Sequence, residues 1–552
     1  MTSTDDERVL ANSAVMAAGT VVSRLSGYVR SILLAAALGN LLHAEIFNIA
    51  NTIPNMLYIL LAGGVFNAVL VPQLIRAMKI DADGGEAYTN RVVTLAALFL
   101  GGVTVLLVVA APWVMSLYLS SSWGTPELAG QRESVVDFAR LCLPQVFFYG
   151  MFVLVGQILN SRRRFGPMMW APIANNVISV AVLVIYLLVF GAARGAEKTG
   201  GFSSDQELLL GIGSTLGIAA QLVILVPYLR SAGFHFRPRF DFRGTGLGRT
   251  LRLGTWTVLF VVVNQIAYTI VVRLASSGTT GEGDDGTGYS VYSSAFLIMM
   301  VPHSVITVSL ATAILPYLST RAAENDLAGL GRSLSSSLRT ALAVAVPFAA
   351  LLPLIAPDLA RVIWGYGAAR ATVDNYVPSL ALFGPGLVLF TVHYLMLRGF
   401  YALELTRTVF WIQCAVAGTN IVAALALVAR ADAAQTSPAL VVAYTASYAV
   451  GSVTAYVVLR RRLGGLGTPT LVRFLVRLLV AVAVSTAVAA VPALLLRGWS
   501  EDPGLLVAGV RTFAITVLDI AVFLLLARAM RLDEVTSVIR TVTRRDPAAG
   551  PR

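Results

Sequence analysis

Five basic residues of this chain fall within or at the edge of long apolar runs: Arg24, Arg30, Arg140, Arg273 and Arg361. An arginine at mid-depth in hydrocarbon costs at least about 2.5 kcal/mol on insertion scales, so it persists where a wet cavity or a counter-charge receives it. Arg24 stands in Val22-Ser23-Arg24-Leu25-Ser26-Gly27, and Arg30 follows six residues later. Six residues turn a helix through about 240°, so the two do not share one narrow stripe. Ser23, Ser26 and Gly27 can loosen the helix there and let both arginines reach one cavity. Guanidinium groups match phosphate oxygens bidentately, so the chemistry these residues predict is a cationic pocket for a pyrophosphate. The competing readings are an ion pair between Arg24 and Glu45 and outward snorkelling of Arg30.

The other ionisable groups in apolar surroundings read differently. Arg273 lies near the outer end of its run, where it can join the pocket or snorkel. Arg140 follows Asp137 by three residues, and Arg361 follows Asp358 at the same spacing, so helical i,i+3 ion pairs account for both. Asp519 is an isolated acid in an apolar run, a ligand for a coupling ion or a partner for a neighbouring helix. The four histidines are dispersed, and Cys142 and Cys414 read as apolar thiols. No metal site is expected: the longest outer loop, Gly278 to Gly288, reads as a flexible acidic linker without the residue order of a calcium loop. With no phosphate-binding loop and no hydrolase motif, the chain is not expected to be an enzyme or to hold a cofactor. Its energy source is then the membrane potential or a gradient of H+ or Na+.

The elements that position these residues follow from composition. The chain is 57% hydrophobic and 13% charged over 552 residues, with a mean hydropathy of +0.76. So little charge excludes a soluble domain. The expected fold is all-α and polytopic, with about fourteen spans near 10–37, 46–73, 92–118, 134–159, 170–191, 208–228, 253–275, 289–318, 340–364, 379–397, 409–429, 439–459, 478–496 and 512–527. The connections alternate in charge. Those on the N-terminal side carry 29 of the 41 basic residues and those opposite carry seven, which places both termini in the cytoplasm. This distribution also explains the net charge of +12 without nucleic acid. The first apolar run has no small-residue cleavage site, so it reads as a span and not a removable signal.

An internal repeat is visible. Val71-Pro72 at the end of span two matches Leu315-Pro316 at the end of span eight, and Leu143-Pro144 in span four matches Gly384-Pro385 in span ten. Leu229-Arg230 and Leu459-Arg460 close spans six and twelve. The expected organisation is therefore a six-helix lobe over 1–232, a second over 233–465, two further helices over 466–531 and a cytoplasmic tail over 532–552. Paired repeats are a transporter signature, with the substrate site between them. The prolines at 54, 72, 144, 302, 316 and 385 are expected to interrupt or end helices, at moving gates or static kinks.

Several of these segments carry a likeness to a known family. Ser23-Arg24-Leu25-Ser26-Gly27-Tyr28-Val29-Arg30, Ile53-Pro54-Asn55, Leu159-Asn160-Ser161, Ala171-Pro172-Ile173 with Asn176, Thr312-Ala313-Ile314-Leu315-Pro316 and Arg398-Gly399-Phe400-Tyr401-Ala402 occur in order. Over residues 8 to about 530 the chain resembles the MurJ/MviN lipid II flippases of the multidrug/oligosaccharidyl-lipid/polysaccharide exporter superfamily. The resemblance implies a central cavity between two lobes and a groove for a polyprenyl tail on the last two helices. It also implies alternating access for a polyprenyl-pyrophosphate-linked disaccharide-pentapeptide in the bacterial cytoplasmic membrane, among membrane lipids and cell-wall synthesis proteins. Arg24, Arg30 and Asn55 match cavity positions of the family, and Glu45 an acidic position before span two. Asn264 and Asn420 are candidates for its sodium site. Tyr58, Gly63 and Leu297 stand where some relatives carry charged residues, so the cavity is less cationic here unless Arg273 compensates.

The expected function is a lipid II flippase. The alternatives are a polysaccharide-repeat flippase or drug/cation antiporter of the same superfamily, a polytopic glycosyltransferase, and a non-transporting cell-wall scaffold. An antiporter for cations favours acidic cavity residues, whereas span one offers two arginines and no acid.

Overall fold

The computed structural model describes residues 3–60, 77, 83, 85–162, 164–241, 247–281, 283–499 and 503–536. Gly63, Pro72 and the tail beyond 536 lie outside the described residues. Those described form helices and connecting turns, with no strand among them. That outcome follows from the medium, since a chain in hydrocarbon must satisfy every backbone N–H and C=O within its own segment.

In chain order the helices are α1 (Ser3–Leu38), α2 (Leu42–Ile59), α3 (Glu86–Val109), α4 (Ala111–Tyr118), α5 (Ala129–Cys142), α6 (Gln145–Ser161), α7 (Gly166–Val189), α8 (Ser204–Val223), α9 (Leu225–Ser231) and α10 (Leu247–Ala275). They continue with α11 (Tyr289–Pro302), α12 (Val308–Ala323), α13 (Leu327–Trp364), α14 (Tyr376–Ala402), α15 (Thr406–Val428), α16 (Thr436–Leu463), α17 (Thr468–Trp499) and α18 (Leu505–Ala529). Twelve segments among the described residues are long and apolar enough to cross a membrane. α1 and α2 stand where the first two of the fourteen expected spans fall, and residues 61–73 of the second lie outside the described residues. Leu188 and Leu506 are each 80% exposed, an apolar surface that water would not tolerate and lipid requires.

The chain packs as two compact units, Met1–Ser290 with Tyr366–Thr372, and Val291–Gly365 with Val373–Arg552. In the first, α7 lies against α1 and α8, α2 against α5 and α6, and α3 against α6. α10 belongs to this unit by packing, whereas the repeat assigns it to the second lobe. In the second unit α14 packs on α13 and α16, and α17 and α18 pack on each other and on α13. Close approach depends on small residues, because dispersion between helices must compete with lipid. A Cβ on Gly399 of α14 would sit 2.7 Å from Leu459 of α16.

The prolines divide into two groups. Pro144 separates α5 from α6, and Pro302 precedes a π-helical turn at His303–Thr307. Pro54, Pro316 and Pro385 instead sit inside continuous helices, so they neither interrupt nor end them. The loop expected to be a flexible linker is partly packed: Thr279 and Thr287 are buried.

Candidate functional site

α1 runs unbroken through Ser23–Gly27, so the expected loosening there does not occur. The local polar groups are satisfied in another way. Ser26 Oγ donates to the Ser23 carbonyl at 2.9 Å. Asn176 Nδ2 of α7 donates to that same carbonyl at 2.8 Å and to Ser26 Oγ at 2.9 Å. Ser23 and Ser26 thus stitch α1 to α7, a use of side-chain hydrogen bonding suited to helices in lipid. Asn176 belongs to an Asn175-Asn176 pair inside an apolar run, which is the signal that could have marked it as a helix-bridging residue.

The arginines on this helix are left free of counter-charge. Arg24 is exposed and Arg30 half-buried, and neither has a carboxylate partner among the described residues. Arg30 acts electrostatically on Tyr149 of α6, whose ring lies 4.8 Å from that of Tyr58 on α2. Asn55, next to Pro54 on α2, is exposed. The first unit therefore presents two uncompensated guanidiniums and an accessible amide on its first two helices. Such groups can donate hydrogen bonds to the oxygens of an anion.

Glu45 is fully buried and does not serve Arg24. Its Oε1 accepts the Ser290 N–H at 2.7 Å, in the first turn of α11, and Asn48 Nδ2 donates to Ser290 Oγ at 2.7 Å beside it. A carboxyl at a helix start meets the unpaired N–H groups and the positive end of the helix dipole. The alternative pairing of Arg24 with Glu45 is accordingly overturned. Gly288 permits this approach, since a Cβ there would lie 2.5 Å from Glu45 Oε1.

The remaining candidates are dispersed. Arg273 Nη1 donates to the carbonyls of Ser116 (2.6 Å) and Leu117 (3.3 Å), closing the C-terminal turn of α4. Asn264 lies half-buried in the first unit, whereas Asn420 and Asp519 belong to the second. Asp519 is buried and faces the hydroxyls of Ser485 and Thr486 on α17. Among the described residues no cluster of His, Cys, Asp and Glu could hold a metal ion. The Asp137–Arg140 pair forms at 2.9 Å. Across elements, Asp358 faces Arg511 of α18 at 3.3 Å, and Arg361 faces Asp374 at 3.7 Å.

Comparison with known proteins places this geometry. The chain is 27% identical to the probable lipid II flippase MurJ of Rhizobium tropici over 391 residues, 70% of each chain. It is also 27% identical to the lipid II flippase MurJ of Burkholderia cenocepacia, over 70% of this chain and 72% of that one. In fold it is similar to a solved lipid II flippase MurJ in an inward closed conformation, with a TM-score of 0.71 at 15% identity, covering 94% of this chain and 99% of the other. An inward-facing multidrug resistance MATE transporter of the MOP superfamily gives 0.61 at 17% identity, over 81% and 96%. The family profile described as lipid II flippase MurJ matches residues 34–510, and this multi-pass membrane protein therefore belongs to the lipid II flippase MurJ family.

Proposed function

We propose that the chain carries lipid II across the cytoplasmic membrane by alternating access, without altering it chemically. The observation that supports this most directly is the pair of uncompensated arginines on α1. A charge kept near mid-membrane without a carboxylate partner requires water or an anionic guest. A pyrophosphate supplies two sets of oxygens for two guanidiniums, and water solvates them when the site is empty. Arg24 and Arg30 bind the pyrophosphate on this reading. Asn55 supports it, and Arg273 positions α4 at the outer end. The lobes are 1–232 and 233–465, the helices of 466–531 hold the polyprenyl tail, and both termini are cytoplasmic. The chain hydrolyses nothing, and an ion gradient or the membrane potential drives the cycle. Asn264, Asn420 and Asp519 are the coupling-ion candidates.

The decisive experiment is depletion of the protein in its host while assaying which membrane face holds the lipid-linked precursor. Accumulation on the inner face within one generation supports the proposal. An unchanged distribution, with cell-wall synthesis continuing, refutes it.

A further inference from the structure

A crevice of about 480 Å³ opens between α4 and α5, and no described residue of α1 lines it. Ser116 and Leu119 form one side, and Arg132, Glu133, Asp137 and Arg140 form the other. Asp137 and Arg140 neutralise each other at 2.9 Å. The two remaining charges are turned to separate tasks, because adjacent helical residues point about 100° apart. Arg132 spends one N–H on the Trp123 carbonyl at 2.9 Å and retains the rest of its donor fork. Glu133 is exposed and has no ion pair among the described residues. Glu207 of α8 lies within electrostatic reach of Asp137 and Glu133.

The face of α4 next to the crevice has the opposite character. On α4, Trp113 is 83% exposed and Leu117 60% exposed, so the helix turns an apolar face away from the protein. Tryptophan in that setting marks the boundary between hydrocarbon and headgroups. Arg273, bonded to the Ser116 and Leu117 carbonyls, holds this short helix in place. A cavity with one available guanidinium and one available carboxylate thus opens beside an exposed apolar helix face that carries a tryptophan.

A ligand fitting it brings an anion for Arg132, a cation with N–H donors for Glu133, and apolar chains that leave past Pro112 and Ser116 onto the adjoining Trp113 and Leu117. We propose that the crevice binds the headgroup of an aminophospholipid, with its phosphate on Arg132 and its ammonium on Glu133. Phosphatidylglycerol has no cation for Glu133. Phosphatidylcholine has a cation without N–H, so it loses the charge-assisted hydrogen bond. The site is independent of the transport reading, since it uses neither Arg24 nor Arg30.

The test uses the full chain in detergent, titrated with phosphatidylethanolamine, phosphatidylglycerol and phosphatidylcholine of matched acyl chains. Native mass spectrometry reads lipid occupancy. Losing one charge-assisted hydrogen bond lowers affinity by about tenfold, so the ethanolamine lipid should be retained about tenfold better than either competitor. Soluble O-phosphoethanolamine should displace it. Glu133→Gln, at an exposed position, should erase the preference without moving the thermal midpoint, whereas Arg132→Gln should lower retention of all three lipids, since each carries the phosphate. Equal retention of the three lipids by the wild type would overturn the proposal, as would full ethanolamine preference in a folded Glu133→Gln protein, the pattern of annular lipid only. Should Arg132→Gln fail to fold, the Glu133→Gln result decides.

Discussion

Arg24 and Glu45 meet the same electrostatic cost in opposite ways. Glu45 sits on the N-terminus of α11, where backbone N–H groups compensate its buried carboxyl. Arg24 keeps its charge accessible and has no carboxylate partner among the described residues. The two should therefore fail differently when altered. Glu45→Ala leaves the Ser290 N–H without its acceptor and should cost about 1–3 kcal/mol of stability, read as a lower thermal midpoint in detergent. Arg24→Ala should leave abundance and midpoint unchanged while abolishing precursor export. Arg24→Lys should restore export only partly, because a point charge lacks the bidentate fork. An abundant Arg24→Ala protein that exports normally would make Arg24 a packing residue. The arginines were legible because a charge in an apolar run is conspicuous by its cost. Glu45's true partner was not, because a backbone N–H 245 residues away leaves no trace in residue type.

At the level of helices, periodicity and length made the spans legible, whereas the pairing between them was not. The spacing of Asp358 and Arg361 brings the two within reach on one helix, and Asp358 also faces Arg511 across the α13–α18 interface. Local spacing shows what is within reach on one helix and says nothing of a competitor on another. Both members of the observed pair are buried, at 2% and 7% side-chain exposure. Removing one leaves an uncompensated charge in a medium of low dielectric. Arg511→Ala should thus cost about 3–5 kcal/mol, whereas Asp358→Leu combined with Arg511→Met should be close to neutral or stabilising. Limited proteolysis at the 503–505 turn, together with the thermal midpoint, would report loosening of the α17–α18 hairpin from α13. A single variant as stable as the wild type would show that the pair contributes nothing there. The polar stitch from Asn176 to Ser23 and Ser26 is expected to be weaker. Asn176→Leu should cost about 0.6 kcal/mol, and at most about 1.7, the range for interhelical hydrogen bonds in membranes.

The whole molecule is governed by where charge can be left. Twenty-nine basic residues fall in the connections of one membrane face and seven in those of the other, a bias that acts during insertion. Translocating a connection such as the Arg460–Arg462 run, followed by Arg473 and Arg477, would carry several charges through hydrocarbon. These five arginines are exposed around the α16–α17 turn, where Gly464 adopts φ 70° and reverses the chain. The acidic stretch near Asp284 and Asp285 meets no such barrier, since acidic groups contribute little to orientation. If the charge bias sets the topology, a cysteine replacing Asp285 should react with a membrane-impermeant maleimide in intact cells. One replacing Arg461 should react only after permeabilisation. Cys142 is buried and Cys414 half-buried, so both should first be changed to alanine to give a silent background. The opposite labelling pattern would invert the protein in the membrane. Equal labelling at both sites would mean that an even number of spans lies between them, and the count of fourteen would fall with it. The two cysteines lie on either side of α11 to α16, so the experiment also tests whether the second lobe crosses the bilayer an odd number of times between residues 285 and 461.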